Sequence, residues 1–273
     1  MATANASLSN FDLDSTLTWD GIHEAIQALG LTQNALELER DGITTLTPEQ
    51  SGVTPEFVET VRNEMLPLGT AITERQYTLE SGPDQPMPDL EPMNSFMVPQ
   101  LLAYKIPAFE ELFFNPATQA LHGYLLGPER RLSTNAGFLK WQSSDASRVD
   151  RFEPFFLHTD SPTPDIAPVP LTPLMRSNTN FVLTDIRDWE DGPMVVAKGS
   201  HREGRNPQEI DAKRMEGYFA PAGSIVIFGS GLQHGSLLRL KPGMRITINT
   251  TFCQPYITPQ EHIQGQFPEL AAS

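Results

Sequence analysis

The sequence has a single cysteine, Cys253, among its 273 residues. An intramolecular disulfide is therefore excluded, and a reducing compartment is expected. Basic residues are also scarce, since 19 Lys and Arg stand against 34 Asp and Glu, giving a formal net charge of −15. A surface of that sign repels phosphate backbones, which disfavours nucleic-acid binding. The stretch 198–214 is the one segment rich in Lys and Arg, and it could still bind an anionic group.

The sequence also lacks the apolar patterns that direct a chain to a membrane. Its first residues, MATANASLSNFDLDS, contain no basic segment followed by an apolar one, so no secretory signal peptide is predicted. No apolar run approaches the ~20 residues that span a bilayer. We therefore expect a cytoplasmic protein that binds neither a membrane nor nucleic acid. Its partner would be a small-molecule substrate, and the sequence allows a homodimer.

Helical patterns occupy the first part of the chain, and strand patterns occupy the second. Amphipathic spacing predicts helices near 19–29, 54–66 and 107–127, and a short strand is expected after Gly42. The Pro-rich stretch 81–92 is interpreted as a loop, either a lid or a plain surface connection. From residue 131 onward, apolar runs separated by Gly and Pro predict a β-sandwich or barrel with helices packed on one face. The six candidate strands are 131–142, 152–160, 178–186, 193–197, 223–228 and 245–252.

The sequence LHTD places His158 and Asp160 two residues apart at the end of a candidate strand. Side chains at i and i+2 of a strand leave the same face, so both can converge on one point. An imidazole and a carboxylate are two ligands of the 2-His-1-carboxylate triad that binds Fe(II) and leaves open positions. The third ligand would be a distant histidine.

Two histidines compete for that third position. His234 lies between two candidate strands and can face into a barrel, whereas His201 lies in a polar turn. The other histidines (His23, His122 and His262) are interpreted as helix-surface, packing and tail residues. Arg245 begins the last strand, where alternation places it with Thr247 and Asn249 on one face. A guanidinium there suits bidentate binding of a carboxylate.

These motifs occur in an order that resembles the phytanoyl-CoA dioxygenase-like family of Fe(II)/2-oxoglutarate oxygenases. The matching segments are LLGPERRL (125–132) with Lys140, LHTD (157–160), DGPMVVAKGSH (191–201) and PAGSIVIFGSGLQHGS with GMRITINTTF (221–252). The sequence departs from the family pattern at Thr159, at Lys198 and in the Pro-rich stretch 161–173. The resemblance covers about residues 120–255.

The resemblance implies one oxygenase domain over 1–273, with a helical part at about 1–127 and a double-stranded β-helix (jelly-roll) core at about 131–255. It carries over His158, Asp160 and His234 as iron ligands and Arg245 as the anchor for the far carboxylate of 2-oxoglutarate. Lys140 stands where the family often has a lysine near that cosubstrate, and Asn135, Thr247 and Asn249 are weaker candidates. The cofactors would be Fe(II), 2-oxoglutarate and O₂.

The expected reaction is oxidation of a small hydrophobic substrate, by hydroxylation, desaturation or rearrangement, in natural-product biosynthesis. Apolar residues proposed to line the substrate pocket are Phe96, Met97, Phe155 and Phe156. One alternative is an acyl-CoA hydroxylase of the same family, and another is a non-redox cupin-like metal module. The FDLDSTLT string (11–18) matches a phosphatase motif, but no apolar strand precedes it, and capping of the next helix by Asp14, Ser15 or Thr16 explains it more simply.

Overall fold

The computed structural model describes residues 13–144, 155–160, 174–203 and 214–261. All α-helices in these ranges precede Gly127: α1 (Trp19–Ala28), α2 (Thr32–Asp41), α3 (Pro48–Ser51), α4 (Pro55–Thr73), α5 (Pro107–Phe113) and α6 (Pro116–Leu126). Short 3₁₀ turns cover Leu13–Leu17, Pro88–Leu90, Leu101–Tyr104, Trp189–Asp191 and Ser200–Arg202. None of the helices in the described ranges is long and apolar enough to cross a membrane.

The helices begin where side chains can bond the first free backbone amides. Thr18 caps α1 by accepting from the Gly21 amide, which corrects the expectation that Asp14, Ser15 or Thr16 would do so. Thr54 caps α4, whose first residue is Pro55 and which begins where the helix near 54–66 was predicted. The predicted helix near 107–127 is divided in two at Asn115-Pro116, because α5 ends at Phe113 and the Asn115 side chain caps α6.

The strands form two large sheets and one small hairpin within the described ranges. The six-stranded sheet has the order β1-β10-β7-β12-β5-β4, and the four-stranded sheet has the order β6-β11-β8-β9. The hairpin consists of β2 (Tyr77–Thr78) and β3 (Gly82–Pro83). The other strands are β1 (Ile43–Leu46), β4 (Ser95–Val98), β5 (Arg131–Trp141), β6 (Phe155–His158), β7 (Arg176–Val182), β8 (Met194–Ala197), β9 (Glu216–Gly217), β10 (Ile225–Gly229), β11 (Gln233–Ser236) and β12 (Met244–Cys253).

From β5 to β12 the chain passes back and forth between the two large sheets, and only β8 and β9 follow each other within one sheet. This is the strand order of a double-stranded β-helix, so the predicted fold class is confirmed. The predicted boundary between 127 and 131 lies between α6 and β5. Two strands that precede it, β1 and β4, nevertheless belong to the six-stranded sheet, and β4 was not predicted.

Alternation along β12 separates the two faces of the six-stranded sheet. Ile246 and Ile248 belong to the same apolar cluster as Val61 and Met65 of α4. Arg245 and Thr247 point the other way, into the space between the sheets. We call these the helix-side face and the inner face. A second apolar cluster fills part of the interior: Ile43, Val182, Ile186, Val196, Ala220, Val226, Phe228 and Leu232.

Candidate metal centre

Neighbouring strands of the four-stranded sheet bring together His158, Asp160 and His234. His158 on β6 and His234 on β11 are register partners, and their ring centroids lie 4.3 Å apart. Asp160 follows β6, with Oδ1 3.5 Å from His158 Nε2 and Oδ2 3.6 Å from His234 Nε2. One ligand atom from each residue lies within 4.8 Å of the others. Two imidazoles and one carboxylate at this separation form a donor set that can hold one transition-metal ion.

The protonation states of these groups suit metal binding. Burial lowers the pKa of His234, which favours the neutral imidazole. Its Nδ1 lies 3.0 Å from the Leu232 carbonyl, so Nδ1–H donates there and Nε2 keeps its lone pair. Burial opposes ionisation of Asp160, but contact with His158, the nearby His234 and the Asn178 amide together keep the pKa of Asp160 below its usual value. The carboxylate is therefore charged at neutral pH.

Asp160 is also held from outside the donor set. Asn178, on the inner face of β7, donates from Nδ2 to Asp160 Oδ2 at 2.6 Å. Thr251 of β12 donates to Asn178 Oδ1 at 2.7 Å. Because ligating carboxylates are commonly hydrogen-bonded by outer residues, this chain of contacts is part of the site.

A second group of polar side chains lies farther along the same strands. Arg245 of β12 and Lys140 of β5 are register partners on the inner face. Lys140 Nζ donates to Ser236 Oγ at 2.9 Å and to the Leu237 carbonyl at 2.6 Å. Arg245 donates to the Gly192 carbonyl, and its Nη2 lies 3.4 Å from the same Ser236 Oγ. Two cations thus converge on Ser236, two residues beyond His234.

Neither cation has an acidic partner among the described residues. Burial lowers the pKa of Lys140, and the charge of Arg245 lowers it further. Burial likewise lowers the pKa of Arg245 to about 10. By contrast, the nearby buried Arg239 pairs with Asp191 at 3.2 Å. A buried charge without a counter-charge costs several kcal/mol, so Lys140 and Arg245 form a ready site for an anion.

A narrow cavity of about 10 Å³ lies beside Arg245 between the two sheets. Thr247 and Asn180 line it, and apolar residues of both sheets complete its walls. Asn249 lies opposite Asn180 in the register. The Oδ1 atoms of Asn180 and Asn249 are buried and lack a hydrogen-bond partner within the described part of the chain. The predicted positions of Thr247 and Asn249 are thus on the correct face, but direct contact with a cosubstrate remains a prediction.

Asn135 does not belong to this site, and its candidacy is corrected. It pairs with Thr250 on β12 and donates to the Thr250 hydroxyl at 2.7 Å on the helix-side face. Side chains there cannot reach a ligand bound by Arg245, because the sheet lies between them. Phe96 is corrected likewise, since it packs against the helix-side cluster. Met97 pairs with Phe138 on the inner face and is 50% exposed. The side chains of Phe155 and Phe156 are not among those that the structure describes.

His201 is not part of the triad, and His122 and His23 take the packing and helix-surface roles expected of them. His201 Nε2 lies 3.1 Å from the Glu39 carbonyl and packs against Gly42, away from the triad. His122 is buried in α6, where its ring nitrogens contact the Ser177 and Thr179 hydroxyls. His23 is exposed on α1. Arg214, at the end of the basic stretch 198–214, forms a salt bridge with Glu203. His262 and the Pro-rich stretch 161–173 lie outside the described residues.

Solved structures of similar fold were found by comparison. HygX from Streptomyces hygroscopicus, with nickel and 2-oxoglutarate bound, has a TM-score of 0.62 at 17% identity, covering 84% of this chain and 88% of HygX. The chain therefore shares the fold of HygX. SnoN, a non-haem α-ketoglutarate-dependent epimerase from nogalamycin biosynthesis, has a TM-score of 0.57 at 15% identity, covering 85% of this chain and 87% of SnoN.

SnoK, a non-haem α-ketoglutarate-dependent carbocyclase from nogalamycin biosynthesis, has a TM-score of 0.58 at 14% identity, covering 87% of this chain and 90% of SnoK. Neither the protein-family models nor the curated proteins contain a match to the chain. Membership of the phytanoyl-CoA dioxygenase-like family is therefore not shown, although the neighbours include non-haem iron and 2-oxoglutarate enzymes.

Two residues of the site were not identified from the sequence. Ser236 could have been found, because period-2 alternation places it on the face of His234. Asn178 carries no local signal, since its partners Asp160 and Thr251 come from distant parts of the chain.

Proposed function

We propose that the protein is an Fe(II)/2-oxoglutarate-dependent oxygenase that acts on a small hydrophobic natural-product intermediate. One observation carries this proposal. The His158–Asp160–His234 donor set and two buried cations without acidic partners among the described residues, Lys140 and Arg245, lie in the same space between the two sheets. A metal-binding module without a cosubstrate has no use for Lys140 and Arg245 in that position. A metal centre beside an anion site is what a chelating dicarboxylate requires.

The donor set fits a facial triad. His158 and His234 would bind through nitrogen and Asp160 through oxygen, which leaves the other positions of an octahedral ion open. When bound, Fe(II) with 2-oxoglutarate and O₂ supplies oxidative decarboxylation of the keto acid and oxidation of the substrate. The chain's own part is to orient the donors and to keep the site dry. His158 is half-exposed, so the centre is accessible from one side.

The spacing of the two sites fits a five-carbon dicarboxylate. His234 and Ser236 are two residues apart on one strand, roughly 6.5 Å along its axis. Four carbon–carbon bonds of about 1.5 Å each span roughly 5 Å when extended at tetrahedral angles. Arg245, Lys140 and the Ser236 hydroxyl would bind the far carboxylate. Because the cavity beside Arg245 measures about 10 Å³, side chains around it must move as the ligand enters.

The proposed substrate class rests on the neighbours and on the interior surface. HygX has been crystallised with hygromycin B, and SnoN with nogalamycin RO. In this chain Met97 and Phe138 present an apolar edge of the six-stranded sheet on the inner face. Membership of the phytanoyl-CoA dioxygenase-like family is part of the same proposal, and it is supported by the ordered motifs from LHTD to Arg245.

The proposal is tested anaerobically with Fe(II) and 2-oxoglutarate. The wild-type protein should develop the weak visible charge-transfer band of a chelated keto acid, and on exposure to air it should release succinate. His234→Ala should do neither, whereas His201→Ala should match the wild type, since His201 lies apart from the triad. Absence of the band in the wild type, or its persistence in His234→Ala, would refute the proposal.

A further inference from the structure

The two oxygens of Asp160 have different surroundings. Each oxygen lies near one imidazole, Oδ1 3.5 Å from His158 Nε2 and Oδ2 3.6 Å from His234 Nε2, but Oδ2 also accepts a 2.6 Å hydrogen bond from Asn178 Nδ2. A hydrogen bond of this length to a charged carboxylate is strong and takes up a lone pair of Oδ2, which is then less free to bind a metal ion. Oδ1 is therefore left as the better metal donor.

Both ends of the Asn178 amide are hydrogen-bonded. Thr251 donates its hydroxyl proton to Asn178 Oδ1 at 2.7 Å, which supports the side chain from the end opposite to Asp160. Because an ionised carboxylate only accepts hydrogen bonds, the amide NH₂ must face Asp160. Rotation of the amide would turn its carbonyl oxygen toward the carboxylate and lose the hydrogen bond to Asp160. Asn178 and Thr251 are both buried, which makes an unpaired arrangement costly.

A metal-bound carboxylate can use one oxygen or two. The triad occupies three of the six positions around an octahedral ion when Asp160 binds through one oxygen, and four when it chelates. A keto acid and O₂ together need the three remaining positions. We propose that Asn178, oriented by Thr251, is a positioning residue that holds Asp160 to one-oxygen coordination and so preserves the third open position. This inference rests on the proposed function.

The chain contains a matched control on the other face of the same sheet. Asn135 and Thr250 also form a buried amide–hydroxyl hydrogen bond, 2.7 Å long, but they face the helices. Asn135→Ala and Thr250→Val therefore remove similar buried contacts without touching Asp160. A purely structural role for Asn178 predicts that the two pairs behave alike.

The test uses the full chain and Co(II), whose visible spectrum reports coordination without turnover. Asn178→Ala should weaken Co(II) binding about 10- to 100-fold. It should also change the visible bands, because Asp160 can then chelate. Thr251→Val should shift both readouts in the same direction by less, and the double variant should equal Asn178→Ala alone. Asn135→Ala and Thr250→Val should leave the affinity and the spectrum unchanged.

Each other outcome has a distinct meaning. A Co(II) affinity and spectrum of Asn178→Ala identical to wild type would overturn the inference but leave the proposed function intact. Equal effects of the helix-side pair, or loss of folding in both inner-face variants alone, would show a structural role and overturn it as well. Failure of the wild type itself to bind Co(II) would refute the proposed function and the inference together.

Discussion

Replacing Arg245 with Met should make the protein more stable while abolishing its response to 2-oxoglutarate. Burial lowers the pKa of Arg245 to about 10. Relative to the ordinary pKa of a guanidinium, this shift means that burying the charged side chain costs about 3 kcal/mol of folding free energy. Methionine removes that cost at similar length. Loss of the hydrogen bonds to the Gly192 carbonyl and Ser236 offsets about 1 to 2 kcal/mol of this gain in stability. The net gain is about 1 to 2 kcal/mol, or a rise in Tm of roughly 2 to 8 °C.

The matched substitution is Arg239→Met. Arg239 is as buried as Arg245, but it pairs with Asp191. Its removal takes away a charged hydrogen-bond donor from the buried Asp191, although Lys241 Nζ remains 3.6 Å from Asp191 Oδ2. Loss of such a bond to a charged group typically costs about 1.5 to 3 kcal/mol. The same change at two buried arginines should therefore move Tm in opposite directions.

Thermal unfolding with Co(II), with and without 2-oxoglutarate, measures both effects. A ligand at one hundred times its Kd stabilises by about 2.7 kcal/mol, so the wild-type Tm should rise by several degrees. Arg245→Met should show no such rise. A lower Tm in Arg245→Met together with an undiminished response to the ligand would refute the assignment of Arg245 as an uncompensated anion anchor.

Two further changes test the surroundings of the site. Burial lowers the pKa of His122 to about 3. His122 therefore stays neutral in the folded protein, whereas in the unfolded chain it gains a proton as the pH falls below the ordinary pKa of histidine. The free energy of unfolding should decrease by about 2 kcal/mol between pH 7 and pH 5, and His122→Gln should flatten this dependence in urea unfolding. Gly192→Ala should destabilise the folded protein by several kcal/mol and weaken 2-oxoglutarate binding. A Cβ there would lie 2.8 Å from the Arg239 amide nitrogen, and the backbone φ of +69° favours glycine. An unchanged Tm and an unchanged 2-oxoglutarate affinity would contradict this prediction.

Local patterns were sufficient for most of the elements. The predicted helix from Thr54 and the predicted strand 245–252 are present because capping residues and period-2 alternation act over a few residues. β4 was missed because its apolar run follows a Pro-rich stretch and gains its place only by pairing with β5. Asn135 was misassigned from the family resemblance, although period-2 alternation along the predicted strand 131–142 already places it on the face opposite to Lys140.

The groups available for chemistry can be found in the primary structure: His158 and Asp160 on one face of a strand, His234 between two strands, and Arg245 at the start of another strand. Each of these follows from short-range geometry. Which of these groups meet depends on strand pairing. The pairing of β6 with β11 brings the triad together, and the pairing of β5 with β12 places Lys140 beside Arg245. The contact of Asn178 with Asp160 likewise depends on residues far apart in the chain, because strand register, unlike strand propensity, is set by the whole fold.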